Sequence, residues 1–247
     1  MADDGTWLII TDGKTTYTVT DTSKDYHTKH GYFRKEDLAK ASGIITTSTG
    51  IEFLLFPARL HDRLARMARH AQIIRPKDVG AIIAHAGITK DSIVIDAGSG
   101  SGALAVRLGL IAKKVVTYDI DERSIMTTKK NIELLGLRTV TIKKKDAYTG
   151  FDEKKVDVIV LDLPEPWRAI PSAPASLLPG GTLVSYSPHV TQCQQMVVAC
   201  RAAGFVHERT IELIERDWVL DEKRSRPDFG GLGHTGFLSF FRNTCKP

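Results

Sequence analysis

The pattern of apolar and polar positions divides the chain into two regimes. Over the first sixty residues apolar side chains come in short, β-branched runs. "WLIIT" and "TTYTVT" flank "DGK", and "GIITTS" and "IEFLLFP" follow, with Gly50 between them and Pro57 ending the last. Short runs bounded by Gly, Asp and Pro read as strands, and Asp12-Gly13 reads as a hairpin turn. From Pro57 the period lengthens. In "ARLHDRLARMARHAQ", Leu60, Leu64 and Met67 recur at helical spacing while Arg59, Arg63, Arg66 and His70 take another face. That spacing predicts a helix with a basic stripe. "DVGAIIAHAG" predicts a second helix, stopped by Gly87.

A regular alternation follows. "SIVIDAG", "KVVTYDI", "TVTIKKKD", "VDVIVLD" and "TLVSYSP" read as strands; "GALAVRLGLIA", "DERSIMTTKKNIELLG" and "VTQCQQMVVACRAAG" read as helices. "PASLL" reads as a short helix ahead of a "PGG" turn, and two long strands around 206–217 and 235–242 close the chain. Nearly continuous apolar strands alternating with helices indicate a parallel sheet buried on both faces. The expected fold class is α/β: a doubly wound, Rossmann-like, mostly parallel sheet with an antiparallel edge, plus a small β-rich N-terminal domain. The expected divisions are 1–58 for the small domain, 59–80 for a basic linker helix leading into the larger domain, and 81–247 for that larger domain.

Composition changes this picture little. The 247 residues are 42% hydrophobic and 26% charged, ordinary for a soluble globular protein. No apolar run approaches the roughly 20 residues of a membrane span, and "MADDGTW" lacks the basic and apolar regions of an export signal. Cys193, Cys200 and Cys245 form no CxxC pair and no ligand cluster, so reduced thiols in a cytoplasmic protein are expected, and no metal site. A net charge of +5 permits a polyanionic partner without establishing one.

The chemistry lies at the strand ends. "DAGSGSGAL" (96–104) joins the first strand of the sheet to its helix, where ligands of doubly wound folds bind. Gly98, Gly100 and Ala103 satisfy the dinucleotide pattern G-x-G-x-x-G/A, and Asp119 follows at the distance of a ribose-binding acid. The same residues fit the glycine turn of Rossmann-like methyltransferases, in which Asp96 would reach the amino-acid part of S-adenosyl-L-methionine (SAM). Asp146 and Asp162 end the next two strands. Four acids at successive strand ends suit a cationic sulfonium cofactor better than a twice-negative dinucleotide. In "DLPEPW" (162–167) two prolines bracket Glu165 and enforce a rigid loop that presents Asp162. Trp167 is read as a base-stacking ring or, in preference, an anchor in the core.

Taken together, "RHAQIIRPKD" (69–78), "DAGSGSGAL", "DLPEPW", "PGG" (179–181) and "GHTGFLSFFR" (233–242) resemble the tRNA (adenine-N1)-methyltransferases that modify nucleotide 58 of the T loop. The chain is similar to the single-chain archaeal and bacterial type over about residues 27–242. The resemblance implies a cytoplasmic homotetramer that binds tRNA and uses SAM, without membrane association. It assigns the cofactor to Gln72, Asp96, Gly98, Ser99, Gly100, Ser101, Gly102, Ala103 and Leu104. Asp119, Ile120 and Ser124 join them on the ribose side, and Asp146 and Ala147 on the adenine side. Asp162 is the acid shared with the target and the catalytic candidate. For tRNA it points to Arg59, Arg63, Arg66, Arg75, Trp167, His234 and Thr235, with Lys143–Lys145, Arg224 and Arg226 as further phosphate candidates. Arg75 departs from the pattern, since the family usually has an aromatic or histidine ring there. The alternatives that remain open are a non-catalytic or differently targeted SAM-binding subunit, and a dinucleotide-dependent oxidoreductase.

Overall fold

The structure, a computed structural model, describes residues 7–70 and 72–244. The chain falls into two compact units, Met1–Met67 and Ala68–Pro247. The N-terminal unit contains β1 (Leu8–Thr11), β2 (Thr16–Val19), β3 (Tyr26–Thr28), β4 (Gly31–Phe33), α1 (Lys35–Leu38), β5 (Gly43–Thr46), β6 (Glu52–Pro57) and α2 (Leu60–Ala65). The expected hairpin is present: Asp12 Oδ1 accepts the N–H groups of Lys14 (2.9 Å) and Thr15 (2.6 Å), and Gly13 takes φ +83°. β2-β1-β6-β5 form one antiparallel sheet. Alternate residues Leu8 and Ile10, with Phe53 and Leu55 across, enclose a core completed by Phe33 and Leu38. β3 and β4 are too short to show a period and were not legible in the sequence.

The expected long basic helix is a shorter element. α2 ends at Ala65, with Arg59 as its N-cap and Arg66 as its C-cap, so Arg66 and His70 share no helical face with Arg63. Residues 68–70 are held by other partners. Ala68 N donates to Asn131 Oδ1 (2.9 Å), Asn131 Nδ2 donates to Ala68 O (3.0 Å), and His70 N donates to Ser101 Oγ (3.3 Å). Side chains distant in sequence take the backbone groups that helical i→i−4 bonds would have used.

The larger unit contains α3 (Pro76–Ala86), β7 (Ile93–Ala97), α4 (Ala103–Gly109), β8 (Lys114–Asp119), α5 (Glu122–Leu134), β9 (Val140–Lys144), β10 (Val156–Leu161), β11 (Leu177–Ser187), α6 (Val190–Ala202), β12 (Phe205–Glu212), β13 (Trp218–Leu220), β14 (Ser225–Pro227) and β15 (Phe237–Asn243). Local signals set the helix ends: Pro76 opens α3, Gly87 closes it in the left-handed conformation, and Asp121 caps α5 by accepting from Ser124 N (2.8 Å). The sheet order is β12-β15-β11-β10-β7-β8-β9. The pairs from β11 to β9 are parallel and both pairs of β15 are antiparallel. Ile95, Ile159, Leu161, Leu183 and Phe241 face one core layer. Their alternates Val94, Val158, Val160, Val184 and Phe240 face the other. Each such side chain contributes roughly 1.5–3 kcal/mol by leaving water, which is why the strands are apolar on both sides.

Two expectations are corrected here. "PASLL" is not a helix: β11 starts at Leu177 and continues through Pro179-Gly180-Gly181. The register jumps from Val156↔Leu177 to Val158↔Thr182, so the "PGG" residues form a bulge within a strand. β12 also stops at Glu212 rather than 217, because its partner β15 begins opposite it at Phe237. The β13–β14 hairpin fills part of the interval. Cys193 and Cys200 are buried and free; Cys245 lies outside the described residues. Among the described residues no helix is long and apolar enough to cross a membrane.

Candidate active site

From β7 the chain moves outward to β8 and β9, then returns to the other side of β7 as β10 and β11. Such a reversal opens a crevice at the carboxyl ends of the two central strands. Three glycines shape the loop beside it for three different reasons. Gly98 has φ +92°, and a Cβ there would run into the backbone carbonyl oxygen of Asp162. The glycine loop and the "DLPEPW" loop are therefore in direct backbone contact, reinforced by Asp162 N donating to Ala97 O (2.8 Å). Gly102 (φ +74°) lets α4 approach Thr128 of α5, whose Cγ2 would lie 2.8 Å from an added Cβ. Gly100 (φ +50°) meets no protein atom within 4 Å in that direction, and it lines the cavity.

That cavity measures about 380 Å³ and is lined by Gln72, Gly98, Gly100, Tyr118, Asp119, Ile120, Lys145, Asp146, Ala147, Tyr148, Asp162, Leu163 and Pro164. Asp119 Oδ2 accepts from Ser99 Oγ and from Gly100 N, both at 3.0 Å, and Oδ1 accepts from Asp121 N (2.9 Å). A carboxylate offers about four lone-pair sites, so Asp119 can shape the loop and still accept from a ligand. Asp146 Oδ1 accepts from Tyr148 N (2.8 Å), capping a short 3-10 turn at Ala147–Thr149. Ala147 N–H, first in that turn, has no intrahelical acceptor. Asp162 is half-buried at the cavity wall, and desolvation pushes its carboxyl up to about 7.

Eight of the sequence-predicted cofactor residues lie on this wall: Gln72, Gly98, Gly100, Asp119, Ile120, Asp146, Ala147 and Asp162. The others stand behind it. Asp96 does not reach the cavity; it is 1% exposed and its Oδ2 accepts from Thr117 Oγ1 (2.6 Å) on the neighbouring strand. Its Oδ1 is buried without a partner. Burial raises its carboxyl to about 7; the Thr117 bond opposes this, and the charges of Asp162 and Asp119 add to it. Ser99 donates to Asp119, Ser101 O accepts from Asn131 Nδ2 (2.7 Å), and Ser124 donates to Asp121 Oδ2 (2.9 Å). Gly102, Ala103 and Leu104 pack α4 and are absent from the wall.

Tyr118, Tyr148, Leu163 and Pro164 also line the cavity and were not assigned from sequence, while Lys145, read there as a phosphate candidate, lines it as well. Tyr148 explains how the prolyl loop is held. Its hydroxyl accepts from Glu165 N (3.1 Å), and Arg168 lies over its ring (4.4 Å) while pairing with Glu165 (2.9 Å). Trp167, in the 3-10 turn Pro166–Ser172, is half-buried, packs on the core cluster and does not line this cavity.

A profile of the family described as "tRNA methyltransferase complex GCD14 subunit" matches residues 64–230. The chain is 35% identical to the tRNA (adenine(57)-N(1)/adenine(58)-N(1))-methyltransferase TrmI of Methanocaldococcus jannaschii over 228 residues, covering 80% of this chain and 81% of that one. The chain belongs to this family. The tRNA (adenine(58)-N(1))-methyltransferase TrmI of Thermus thermophilus is 30% identical, with 88% of each chain covered. Among solved structures, a SAM-dependent O-methyltransferase from Thermotoga maritima superposes with a TM-score of 0.87 at 28% identity, covering 99% of this chain and 95% of that one. Family and fold imply SAM as the methyl donor of a GCD14-family chain. The crevice fits it. Gly100 leaves open space on the ligand side, acids flank the cavity, and an unpartnered carboxylate oxygen lies behind the loop.

The remaining predicted residues of this GCD14-family chain fall in several separate places. Arg75, Lys77 and Thr235 line a second, polar cavity of about 260 Å³ with Glu215, Asp217, Asp228, Gly230, Gly231 and Leu232. Tyr186, which sequence reasoning missed, adjoins both regions: its hydroxyl donates to Thr235 O (2.6 Å) and feels the charges of Asp78 and Asp162. The lysine run, by contrast, is engaged with acids. Lys143 pairs with Asp152 (3.0 Å) and Glu153 (2.7 Å), Lys145 with Asp152 (2.5 Å), and Lys144 with Glu122. Arg224 pairs with Asp221 (2.6 Å) and Arg226 stacks on Phe229 (5.0 Å). Arg59 and Arg66 are exposed on the N-terminal unit, with Arg63 half-buried.

Proposed function

We propose that this protein transfers the methyl group of SAM to N1 of adenosine 58 in the T loop of tRNA, with the adjacent adenosine 57 as a second target. The observation that carries this reading is Asp162: a carboxylate on a rigid prolyl loop, seated against Gly98 at the wall of the cavity. The named activities of the TrmI relatives supply the acceptor. The resemblance further supports a cytoplasmic homotetramer that binds tRNA.

When bound, SAM supplies an electrophilic methyl group on a cationic sulfur. Gln72 and the backbone at Gly98 and Gly100 would bind its amino-acid part, Asp119 would accept from the ribose hydroxyls, and Asp146 with Ala147 N–H would hold the adenine. Adenine N1 carries an in-plane lone pair and no proton, so the protein need not remove one before attack. Its task is placement. As N1 is methylated, positive charge spreads to the exocyclic amino group. Asp162, accepting a hydrogen bond from that group, gains strength as the charge grows and so favours the transition state over the ground state. The target edge must first be turned out of the folded RNA, at a cost of a few kcal/mol.

The structural likeness to the Thermotoga maritima O-methyltransferase raises a hydroxyl acceptor as a second reading. Incubation of tRNA with the protein and SAM, followed by mass spectrometry of the nucleosides, distinguishes the two. The expected product is 1-methyladenosine mapped to the T loop, whereas a 2′-O-methylnucleoside refutes the assignment. In the same preparation SAM at a hundredfold excess over Kd should stabilise the fold by about 2.7 kcal/mol, seen as a higher Tm, and NAD should not. Affinity for tRNA should fall linearly on a logarithmic scale with salt. A salt-independent affinity would remove phosphate contacts from the account.

A further inference from the structure

Three consecutive residues lead into β15, and each is anchored differently. Thr235 Oγ1 accepts from Lys77 Nζ (2.7 Å) and donates to Asp78 Oδ2 (3.1 Å), a fully buried carboxylate on α3. Its carbonyl accepts from the Tyr186 hydroxyl (2.6 Å). Gly236 lies flat against the same ring, for a Cβ there would sit 2.5–2.8 Å from Tyr186 atoms. Because β10 and β11 pair Leu161 with Ser185, the next residues along each strand, Asp162 and Tyr186, stand level with one another. Residues 235 and 236 thus form a strap beneath the ring that neighbours the proposed catalytic acid.

His234 precedes the strap, and its hydrogen bonds carry a proton requirement. Nδ1 lies 2.6 Å from Glu212 Oε1 and Nε2 lies 2.8 Å from the carbonyl oxygen of Pro188. An ionised carboxylate and a backbone carbonyl only accept, so both ring nitrogens must donate, and only the imidazolium does that. The neutral ring forfeits one of the two bonds. The charges around it are Glu212 at the end of β12, which favours the proton, and Lys77 of α3, which opposes it. The Phe237 ring of β15 lies 5.0 Å away and is uncharged. The imidazole is 43% exposed, so solvent protons reach it.

We propose that His234 is a protonation-dependent positioning residue, whose imidazolium ties the end of β12 to the loop after β11 and so fixes the strap under Tyr186 for acceptor binding. The consequence for the acceptor rests on the methyltransferase reading; the clasp itself does not. Its sign is definite. The pKa of His234 is raised by the Glu212 bond first and the Pro188 bond second. The clasp is therefore complete below the ordinary histidine range and is lost as pH rises through the higher folded value.

The test follows the His234 ring by NMR across pH in the full chain and in Glu212→Gln, alongside KM for tRNA and Kd for SAM. In the unaltered chain His234 should titrate above the ordinary value of about 6.5, and KM for tRNA should rise about three- to tenfold through the same pH, the factor one hydrogen bond accounts for. Glu212→Gln should move both transitions to lower pH together, match the unaltered chain below them, and leave SAM affinity flat. His234→Gln, with a single donating group, should hold the alkaline KM at every pH. A His234 titration at or below the free value overturns the clasp, as does an alkaline KM rise that Glu212→Gln leaves in place. If tRNA is not methylated at all, the NMR titration and its shift still decide the clasp, so the two readings fail separately.

Discussion

Asp162→Asn is expected to lower turnover by about 10²–10³-fold while SAM binding stays within a few-fold. Asparagine keeps the size of the side chain and its place on the prolyl loop, and it removes only the charge proposed to track the methylated ring. The pH dependence adds a second arm. In the free enzyme burial holds the Asp162 carboxyl near 7, so kcat/KM should rise with pH through that range as the acid ionises. Asp96 behind the loop titrates in the same range and feels the charge of Asp162, so the limb belongs to the pair. A carboxyl raised on folding stabilises the fold below its unfolded pKa, and that contribution is lost as pH rises through about 7. Asp162→Asn lacks this loss and should melt no lower than the unaltered chain at alkaline pH. Stopped-flow or single-turnover assays, SAM calorimetry and melting curves check the three arms. Near-normal turnover removes Asp162 from the chemistry, and a lowered Tm would make the defect one of folding.

Gly98→Ala should cost both stability and cofactor affinity, and Gly100→Ala mainly affinity. Both positions have positive φ, and a side chain there costs roughly 1–2 kcal/mol, or about 2–8 °C in Tm for a domain of this size. Only Gly98 adds a collision, with the backbone oxygen of Asp162. That segment cannot retreat cheaply, since Asp162 N is bonded to Ala97 O at 2.8 Å. Gly98→Ala should therefore melt clearly below Gly100→Ala. At Gly100 the added methyl enters open cavity rather than protein, so SAM affinity should fall about tenfold or more, as a ligand group loses close backbone approach. Equal melting temperatures for the two variants would mean that the Gly98–Asp162 contact does not hold the site together.

The chemistry at the strand ends was legible because it is local. A glycine turn, an acid closing an apolar run and two prolines two apart each constrain the backbone within a few residues. Asp119, Asp146 and Asp162 could therefore be placed on one edge before any fold was known. Asp96 obeyed the same local rule and still turned inward, because Thr117 of the adjacent strand takes its carboxylate. The helical period of residues 59–70 was real, yet Asn131 and Ser101 hold the backbone of its last part in another path. The lysine run reads in sequence as a phosphate patch, and only the fold brings Asp152, Glu153 and Glu122 beside it.

By itself, then, the sequence determined the α/β alternation, the buried parallel strands, the turn carrying Gly98 and Gly100, and the acid on the prolyl loop. Period, turn chemistry and φ restrictions act between neighbours in the chain. Tertiary structure decided which acids face the cavity, that Tyr186 stands level with Asp162, and that His234 meets both Glu212 and Pro188. Those outcomes depend on partners tens of residues apart, brought together by strand register and burial, and no local pattern encodes them.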